Sequence, residues 1–349
     1  MQTDIKQLEY KQIEQFVINL GEKKFRAKQI YEWLWKKNAT SFDQMTNISE
    51  QLREKLSKNF CFNPLKITFK VQSTKDNSSK FAFLTSDNLF IEGVLIPSKN
   101  ANRVTACIST QVGCPLKCKF CATGTMGLKR NLTAAEIYEQ VFLLNKESEK
   151  IYGRKLTNIV VMGMGEPLLN YQNLMTAIDF VTTEKGLAMS ADRITVSTAG
   201  LVKELRKLAD DEPKFNLAIS LHSAINENRS EIMPINKSNP IPELIDALKY
   251  YHSKTGKRIT FEYLLIDGIT DTTEHSKALA EFCKNFPSKI NLIEFNPVDH
   301  IDYKTSKKEN SSKFYNFLAS KNLVVTIRRS KGQDINAACG QLALKQKKN

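Results

Sequence analysis

Residues 6–59 carry hydrophobic side chains at helical spacing, with polar residues between them. A first apolar stripe stops near Gly21 and a second begins shortly afterwards, while Ser49 stands where an N-cap would start a third helix. The apolar positions are Leu8, Ile13, Phe16, Val17 and Leu20, then Phe25, Ile30, Leu34 and Trp35, then Leu52 and Leu56. This pattern predicts a small helical N-terminal domain over residues 1–62.

Residues 63–99 change to runs that are typical of strands. Ser86, Asp87 and Asn88 separate the last two runs as turn residues. The strand-like runs are 67–71, 80–84 and 89–96. The segment therefore predicts a β-hairpin extension that leads into the core and carries Glu92.

From residue 100 to residue 349, β-rich runs alternate with segments of helical length, which indicates βα units around a parallel sheet. The runs cover residues 104–108, 158–162, 194–197, 215–221, 259–266, 290–295 and 323–327. Six or seven units are too few to close an eight-stranded barrel. We therefore predict an α/β fold, a partial, open βα barrel with ligands at the C-terminal ends of its strands.

Composition limits the class of protein. The chain has 349 residues, 41% of them hydrophobic, which suits one large catalytic domain and a smaller appendage. Neither a signal peptide nor an apolar run of membrane-spanning length is present, so a cytoplasmic protein without membrane contact is expected. Seven cysteines in a reducing compartment favour metal binding or catalysis over disulfides.

The charge of the chain suggests a partner. It has 51 Lys and Arg against 37 Asp and Glu, a net charge of +14, which would attract a polyanion such as RNA. Lysines such as those in the tail from Lys345 to Lys348 could equally serve only to solvate the surface. Charge alone leaves both interpretations open.

Cys114, Cys118 and Cys121 form the sharpest motif, a C-x3-C-x2-C run directly after the first predicted core strand. Thiolates at these intervals can converge on one face of a compact loop, as an iron–sulfur cluster requires. Three ligands leave one iron of a four-iron cluster open to a small molecule. A structural zinc site normally closes with four ligands, and the first histidine of the chain is His222, so zinc is the weaker alternative.

This cysteine motif, with an aromatic residue before its last cysteine, resembles the signature of the radical S-adenosylmethionine (SAM) superfamily. The resemblance implies one [4Fe-4S] cluster on Cys114, Cys118 and Cys121, whose open iron binds SAM. It also implies that an electron from the cluster cleaves SAM to a 5′-deoxyadenosyl radical, so that the cofactor supplies the difficult chemistry.

Further segments narrow the resemblance to the RlmN family of RNA methyltransferases and cover nearly the whole chain. They are Gln111 to Cys114, Cys121 to Gly124, Arg130 to Thr133, Gly163 to Leu168, Ser220 to His222, Met233 to Asn236 and Ala337 to Leu342. The resemblance implies methylation of carbon 2 of an adenine in the peptidyl transferase centre of 23S rRNA and of an anticodon-loop adenine in tRNA. We expect a monomer that receives electrons from an external donor such as a flavodoxin-type protein.

Carbon 2 of adenine is electron-poor and cannot attack the methyl group of SAM as a nucleophile, so a methyl carrier is needed. The resemblance assigns this role to Cys339, which one SAM methylates and a second SAM activates as a carbon radical. It assigns release of the base to Cys107, through a disulfide with Cys339, and acceptance of the ring proton to Glu92. Without the resemblance, Cys339 would be interpreted as a small buried hydrophobe and Glu92 as an exposed strand carboxylate. Cys61 and Cys283 match no motif and are expected to be ordinary buried thiols.

Residues that follow predicted core strands resemble the SAM contacts of the family. Gly165 and Glu166 correspond to the segment that holds the methionine part, and the turn is glycine-rich, although such a turn is a weak signal by itself. The contacts to the sugar and adenine end are Ser197, Ser220, Leu221 and His222, and Asn296 corresponds to a further contact. By itself, His222 could equally be a satisfied core histidine.

The target adenine must reach a pocket in the barrel mouth, so we expect unpaired RNA with its base flipped out. Trp33, Trp35 and Phe25 are expected in the core, because an apolar helix stripe is usually buried. Basic residues that could contact phosphates are Lys11, Lys23, Lys24, Arg26, Lys28, Lys36, Lys37, Arg328, Arg329 and Lys331.

Three alternatives remain open. A Cfr-type enzyme would methylate carbon 8 of the same adenine with the same cysteines, although Glu166-Pro167-Leu168 is more similar to the RlmN type. A non-catalytic RNA-binding protein with a structural metal would explain the charge and three thiols only. A radical SAM enzyme that acts on a peptide or a metabolite would cleave SAM without methylating RNA.

Overall fold

The computed structural model describes residues 2–98, 102–298 and 301–343, so the tail lysines from Lys345 to Lys348 lie outside the described residues. The helices are α1 (Tyr10–Asn19), α2 (Phe25–Trp35), α3 (Glu50–Asn59), α4 (Ala122–Thr125), α5 (Ala134–Tyr152), α6 (Tyr171–Thr182), α7 (Val202–Asp210), α8 (Asn226–Ile232), α9 (Ile241–Thr255), α10 (Thr273–Cys283) and α11 (Lys308–Ser320). The strands are β1 (Thr3–Asp4), β2 (Phe60–Cys61), β3 (Lys66–Gln72), β4 (Ser79–Leu84), β5 (Phe90–Pro97), β6 (Val104–Ile108), β7 (Gln111–Gly113), β8 (Leu128–Asn131), β9 (Asn158–Val161), β10 (Ile194–Thr198), β11 (Asn216–Ser220), β12 (Ile259–Leu265), β13 (Ser288–Glu294) and β14 (Val324–Arg328).

The N-terminal helices α1 to α3 form where the apolar spacing predicts them. Ile13, Leu34 and Leu56, one from each helix, are buried. Ser49 begins α3, because its hydroxyl accepts a hydrogen bond from the backbone N–H of Leu52 at 3.4 Å. The apolar stripes therefore face one another, as an amphipathic helix pattern requires.

Phe25 departs from the predicted core. It is the first residue of α2 and is 49% exposed, with the guanidinium of Arg26 at 4.9 Å from its ring centroid. The buried stripe of α2 begins two residues later, at Ala27, so the ring lies beyond the packed part of the helix. The prediction that Phe25 is a core residue is wrong, whereas Trp35 is buried and Trp33 is half-buried.

The N-terminal helices pack on α5 and α6 of the barrel. The ring of Trp35 stacks on Phe180, with centroids 3.6 Å apart and planes 5° from parallel, and Tyr138 donates a hydrogen bond to the Trp35 carbonyl at 2.6 Å. Lys6 forms a buried ion pair with Glu139 at 2.5 Å. Aromatic packing and one buried ion pair thus join the two parts of the chain.

One ten-stranded sheet runs through the molecule in the order β14-β13-β12-β11-β10-β9-β6-β5-β4-β3. Strands β6 and β9 to β14 are parallel, and β3, β4 and β5 add to them in antiparallel fashion. Strands β3 and β14 are the two edges, so the sheet is open and the predicted α/β partial barrel is confirmed. The extension is therefore three strands that continue the main sheet, with Val94 of β5 opposite Cys107 of β6.

Helices connect the successive parallel strands, and this places all the C-terminal strand ends at one edge of the sheet. The face of the parallel strands that the helices cover is apolar, as in other sheets packed against helices. Phe261, Leu217 and Val196, for example, are buried. Within the described ranges, none of the helices has the length and apolarity that crossing a bilayer needs.

Candidate active site

A cavity of about 250 Å³ opens at the C-terminal ends of the parallel strands. Its lining includes the five cysteines to which the sequence assigns chemistry, Cys107, Cys114, Cys118, Cys121 and Cys339. The other two cysteines lie elsewhere, Cys61 in β2 and Cys283 at the end of α10. The fold thus separates the five thiols with predicted roles from the two without.

Backbone contacts hold the loop that carries Cys114, Cys118 and Cys121. The N–H of Cys114 donates to the Gly127 carbonyl at 3.1 Å, and the N–H of Cys121 donates to that of Cys118 at 3.2 Å. Gly124 lies so close beneath the loop that a Cβ there would be 3.0 Å from the Cys118 carbonyl oxygen. Backbone hydrogen bonds and close packing therefore fix the conformation of the three-cysteine loop.

The donor set of this loop suits an iron–sulfur cluster. Burial raises the pKa of the Cys114 thiol to about 12, and that of Cys118 well above its usual value, so these thiolates need a strong nearby cation to form. In the part of the chain that the structure describes, no three His, Cys, Asp or Glu side chains are placed to share a single metal ion. Each thiolate of a four-iron cluster binds a different iron, so a cluster does not require that convergence.

Cys339 lies on the C-terminal loop and is exposed to the cavity. The N–H of Ala122, which follows Cys121, donates to the Gly340 carbonyl at 2.8 Å and fastens this loop to the three-cysteine loop. Enclosure by protein raises the pKa of the Cys339 thiol, while the charge of Arg328 acts in the opposite direction. Cys339 is therefore held beside the three-cysteine loop, next to a cation that favours its thiolate.

Cys107 reaches the same cavity from strand β6. Burial raises the pKa of its thiol to about 12, and negative charge on Cys339 would raise it further, so the two sulfurs influence each other. The two cysteines line the same cavity although they are 232 positions apart in the chain, because β6 ends where the C-terminal loop crosses the strand ends.

Glu166 and Gly165 lie in the tight turn after β9. Both Glu166 oxygens accept hydrogen bonds, one from the Thr198 hydroxyl at 2.6 Å and the other from the Ala199 N–H at 2.8 Å, and burial raises the pKa of the carboxyl to about 7. Gly165 has φ +101°, and a Cβ there would lie 2.5 Å from the Cβ of Gln111. Only glycine fits here, because the backbone at residue 165 comes close to the side chain of Gln111. The side-chain oxygen of Gln111 in turn accepts a hydrogen bond from the Glu166 N–H at 2.8 Å.

Ser197, Ser220 and His222 lie at the ends of β10 and β11 and line the cavity. The two serine hydroxyls are 3.2 Å apart. His222 has φ +57°, packs edge-on against Phe120 at 4.8 Å, and its Nδ1 has no hydrogen-bond partner among the described residues. Burial lowers the pKa of its imidazole to about 3, so the ring is neutral.

Asn296 lines the cavity, whereas Leu221 does not. The side chain of Leu221 is fully buried in the core, its N–H donates to the Ile219 carbonyl at 2.9 Å, and its carbonyl accepts from Arg229 at 3.0 Å. Asn296 donates to the Cys339 carbonyl at 3.1 Å and accepts from Gln333 at 2.8 Å. Asn296 thus helps to position the C-terminal loop in this structure.

Glu92 lies on β5, outside the lining of the cavity. It is 1% exposed, and its Oε1 is 3.1 Å from the Nζ of Lys80, while Oε2 has no partner among the described residues. The backbone N–H of Ala343 and the charge of Lys80 favour the carboxylate, but burial outweighs both and raises the pKa of Glu92. The C-terminal segment therefore lies next to this carboxylate.

Two charged residues of the site were missed or misplaced by the sequence analysis. Glu262, in β12, lines the cavity, accepts from Asn291 at 2.9 Å and pairs with Arg328 at 3.2 Å. A single carboxylate inside the apolar run of β12 was the signal that could have found it. Arg328 was expected on RNA phosphates, but it lines the cavity and is bonded to Glu262.

Comparisons with known proteins identify the family of the chain. Residues 3–62 match the ribosomal RNA large subunit methyltransferase N-terminal domain family, and residues 108–280 match the radical SAM superfamily. The chain is 49% identical over 344 residues to a probable dual-specificity RNA methyltransferase RlmN of Cytophaga hutchinsonii, covering 99% of this chain and 93% of that protein. The corresponding protein of Christiangramia forsetii is 48% identical, with coverage of 98% and 96%.

A solved structure shows the same fold over nearly the whole chain. The crystal structure of a radical SAM methyltransferase from Sphaerobacter thermophilus superposes with a TM-score of 0.90 at 39% identity, covering 97% of this chain and 99% of that chain. The match in fold therefore extends over the N-terminal helices and the parallel sheet. The chain belongs to the RlmN family of the radical SAM superfamily.

Proposed function

We propose that this protein methylates carbon 2 of an adenine in 23S rRNA and in tRNA, through a methyl group carried on Cys339. The curated relatives are dual-specificity RNA methyltransferases by name. The observation that carries the proposal is the shared cavity, in which Cys339 and Cys107 face the same space as the three-cysteine loop. A metal-stabilised binding protein has no use for two further thiols in that position.

The chain offers a place for each cofactor. Cys114, Cys118 and Cys121 would hold one [4Fe-4S] cluster, and SAM would lie against Gly165, Glu166, Ser197, Ser220, Leu221, His222 and Asn296. The unpartnered Nδ1 of the buried His222 fits this assignment, since a buried polar atom without a partner is costly unless a ligand supplies one. When bound, these cofactors would supply the methyl group and the radical that removes a hydrogen atom from it, and the cluster would take back one electron when the ring loses its proton.

The protein's own groups then carry and release the methyl carbon. The sulfur of Cys339 holds the carbon while it becomes bonded to the adenine ring, and this ties the RNA to the enzyme. The thiolate of Cys107 attacks the Cys339 sulfur, a disulfide forms, and the electron pair of the broken carbon–sulfur bond remains with the carbon, which takes up a proton. Two neighbouring thiols in one cavity suit this exchange.

Glu92 is the proposed acceptor of the ring proton. Burial raises the pKa of its carboxyl, which makes the carboxylate a better base than an exposed one. Because Glu92 is buried and does not line the cavity, proton transfer would require the structure around it, which includes Ala343 of the C-terminal segment, to open. This segment also carries Cys339, so the same movement would affect both groups.

RNA binding would combine charge with a flipped base. Arg329 and Lys331, two of the residues expected on phosphates, line the cavity, and the net charge of +14 favours a polyanion. The adenine would leave its stack to reach the cavity, at a cost of a few kcal/mol. The proposal further includes a monomeric enzyme and an external electron donor such as a flavodoxin-type protein.

The test is a product analysis. The anaerobically reconstituted protein, with reductant and SAM, is given a 23S rRNA fragment or tRNA, and the digested nucleosides are identified by mass spectrometry. We expect 2-methyladenosine from the wild type and from Cys61→Ala, a cysteine outside the cavity, and none from Cys339→Ala. 8-Methyladenosine would identify a Cfr-type enzyme, and cleaved SAM with unmodified RNA would indicate another substrate.

A further inference from the structure

Arg229, in α8, is a fully buried cation that none of the roles above uses. Its Nε donates to the Leu221 carbonyl at 3.0 Å, and its Nη2 donates to the Ala199 carbonyl at 2.6 Å. Its Nη1 donates to the side-chain oxygen of Asn236 at 2.6 Å. Every one of these partners is neutral, and no carboxylate among the described residues forms an ion pair with the guanidinium.

A buried charge without a counter-charge is expensive. Removing an ion from water costs several kcal/mol even after the protein relaxes, and neutral carbonyls recover only part of this cost. Burial lowers the pKa of Arg229 to about 10, which still leaves it charged near neutral pH. A neutral side chain could join the same strand ends at lower cost, so hydrogen bonding alone does not explain an arginine.

The surroundings of Arg229 indicate where a negative charge would arise. The charge of Arg229 acts on two groups of the site: it lowers the pKa of Cys118, the middle cysteine of the three-cysteine loop, against the larger effect of burial, and it lowers the pKa of His222. The end of α8 supports that loop directly, because the Lys119 N–H donates to the Ile232 carbonyl at 2.9 Å, and Ile232 packs with Cys118. The helix that carries Arg229 therefore contacts the three-cysteine loop directly.

We propose that Arg229 is a positioning residue whose charge raises the reduction potential of the iron–sulfur cluster on Cys114, Cys118 and Cys121. This inference rests on the proposed function, since it requires that cluster. Three thiolates give the site a negative charge that grows by one unit on reduction, and a fixed cation nearby stabilises the reduced state more than the oxidised one. Low-dielectric surroundings strengthen the effect.

Three variants separate charge from structure. Arg229→Met removes the charge and keeps much of the volume, whereas Arg229→Lys keeps the charge and loses the planar fork. Asn236→Asp leaves Arg229 in place and puts a carboxylate next to its Nη1, so it neutralises the cation, although it also removes the hydrogen bonds that the Asn236 amide donates to Asn226 and Ser230. Asn239→Asp is the matched control, because its side chain accepts from the Val202 N–H at 2.8 Å and does not bond to Arg229.

The measurement is a potentiometric titration of the reconstituted full-length protein, followed by electron paramagnetic resonance, with iron content and melting temperature recorded for each variant. We expect Arg229→Met and Asn236→Asp to lower the midpoint by 59 mV or more, a tenfold loss in the ratio of reduced to oxidised cluster. Arg229→Lys and Asn239→Asp should shift it by less than half of that.

Equal midpoints in all variants, or a shift in Arg229→Lys as large as in Arg229→Met, would overturn the inference. If Arg229→Met does not fold, Asn236→Asp decides, because it retains every donor of Arg229. A wild-type protein that binds iron but shows no reducible cluster would contradict the proposed function itself. A reducible cluster whose midpoint does not change in the Arg229 variants would contradict only the inference about Arg229.

Discussion

A buried cation has a counter-charge at the interface between the N-terminal helices and the barrel, but the buried cation next to the cysteine cavity has none. At the interface, the charge of Lys6 is neutralised by Glu139, whose second oxygen accepts the Leu65 N–H at 2.8 Å. Behind the cavity, Arg229 has only neutral partners, and His222 leaves its Nδ1 without one among the described residues. The first arrangement stabilises the fold, whereas the second leaves charge and hydrogen-bonding capacity for ligands.

This contrast implies a division of effects. Substitutions at the interface should reduce the free energy of unfolding and leave the chemistry of each folded molecule intact. Substitutions of the cavity cysteines with predicted roles should stop the chemistry with little loss of stability. Four variants test this division, in order of decreasing expected effect.

Cys107→Ala should have the largest effect, a complete loss of turnover, because the RNA can no longer be released from Cys339. We expect RNA attached to the protein on a denaturing gel and a melting temperature close to that of the wild type. Cys283→Ala, at a buried cysteine outside the cavity, should instead cost about 1 kcal/mol of stability and trap no RNA. Free methylated RNA from Cys107→Ala would contradict the assigned role.

Glu139→Ala should have the next largest effect, on stability. It leaves Lys6 as a buried, unpaired charge, which typically costs about 3–5 kcal/mol. Urea denaturation measures this loss, and methylation per folded molecule should be unchanged. The double variant Lys6→Met with Glu139→Leu should recover much of the stability, because it removes both charges. A single variant as stable as the double would show that the ion pair does not join the domains.

Gly165→Ala should have an intermediate effect, on both the stability of the protein and its affinity for SAM. The new Cβ would meet Gln111 at 2.5 Å in a backbone conformation that other residues rarely adopt, at a cost of about 1–3 kcal/mol. SAM affinity, measured by calorimetry, should fall with it. Gly153→Ala is the control, since Gly153 also has positive φ, at +65°, but nothing lies within 4 Å of its added Cβ. Equal losses in the two variants would mean that backbone strain, and not the contact with Gln111, decides the effect.

Glu92→Gln should give the smallest effect, a gain in stability at neutral pH together with slower methylation. Burial raises the pKa of Glu92 in the folded protein, so the folded state binds its proton more tightly than the unfolded state. Stability from this group is present at low pH and is lost as pH rises from the usual carboxyl pKa through the raised one. The melting temperatures of the two proteins should therefore converge as pH falls below the usual carboxyl range. A melting temperature that rises with pH in the wild type relative to Glu92→Gln would contradict this predicted pH dependence.

Local patterns predicted much of the fold and of the site. Two features depend on residues that are close in sequence and could therefore be predicted from it. They are the spacing of Cys114, Cys118 and Cys121 and the alternation of strands with helices. The resemblance then located Cys107 and Cys339, which the structure brings to one cavity. The open barrel followed from the number of βα units.

Features that depend on distant partners were not predictable. Phe25 is exposed because α2 begins there, before its packed stripe, and apolar character alone does not reveal this. Gly165 faces Gln111, which is 54 positions away, and Arg229 obtains its partners from two different strand ends. Such residues are defined by tertiary contacts, which periodicity and motif spacing do not record.

The most direct test of the Cys339 relay uses SAM with a trideuterated methyl group. The reconstituted protein is given RNA and this SAM, and the deuterium content of the methylated adenosine is measured by mass spectrometry. Because hydrogen abstraction occurs at the methyl group on Cys339, the relay predicts that two of the three methyl deuteriums remain in the product. A product that retains all three would mean direct transfer of an intact methyl group and would contradict the roles of Cys339 and Cys107.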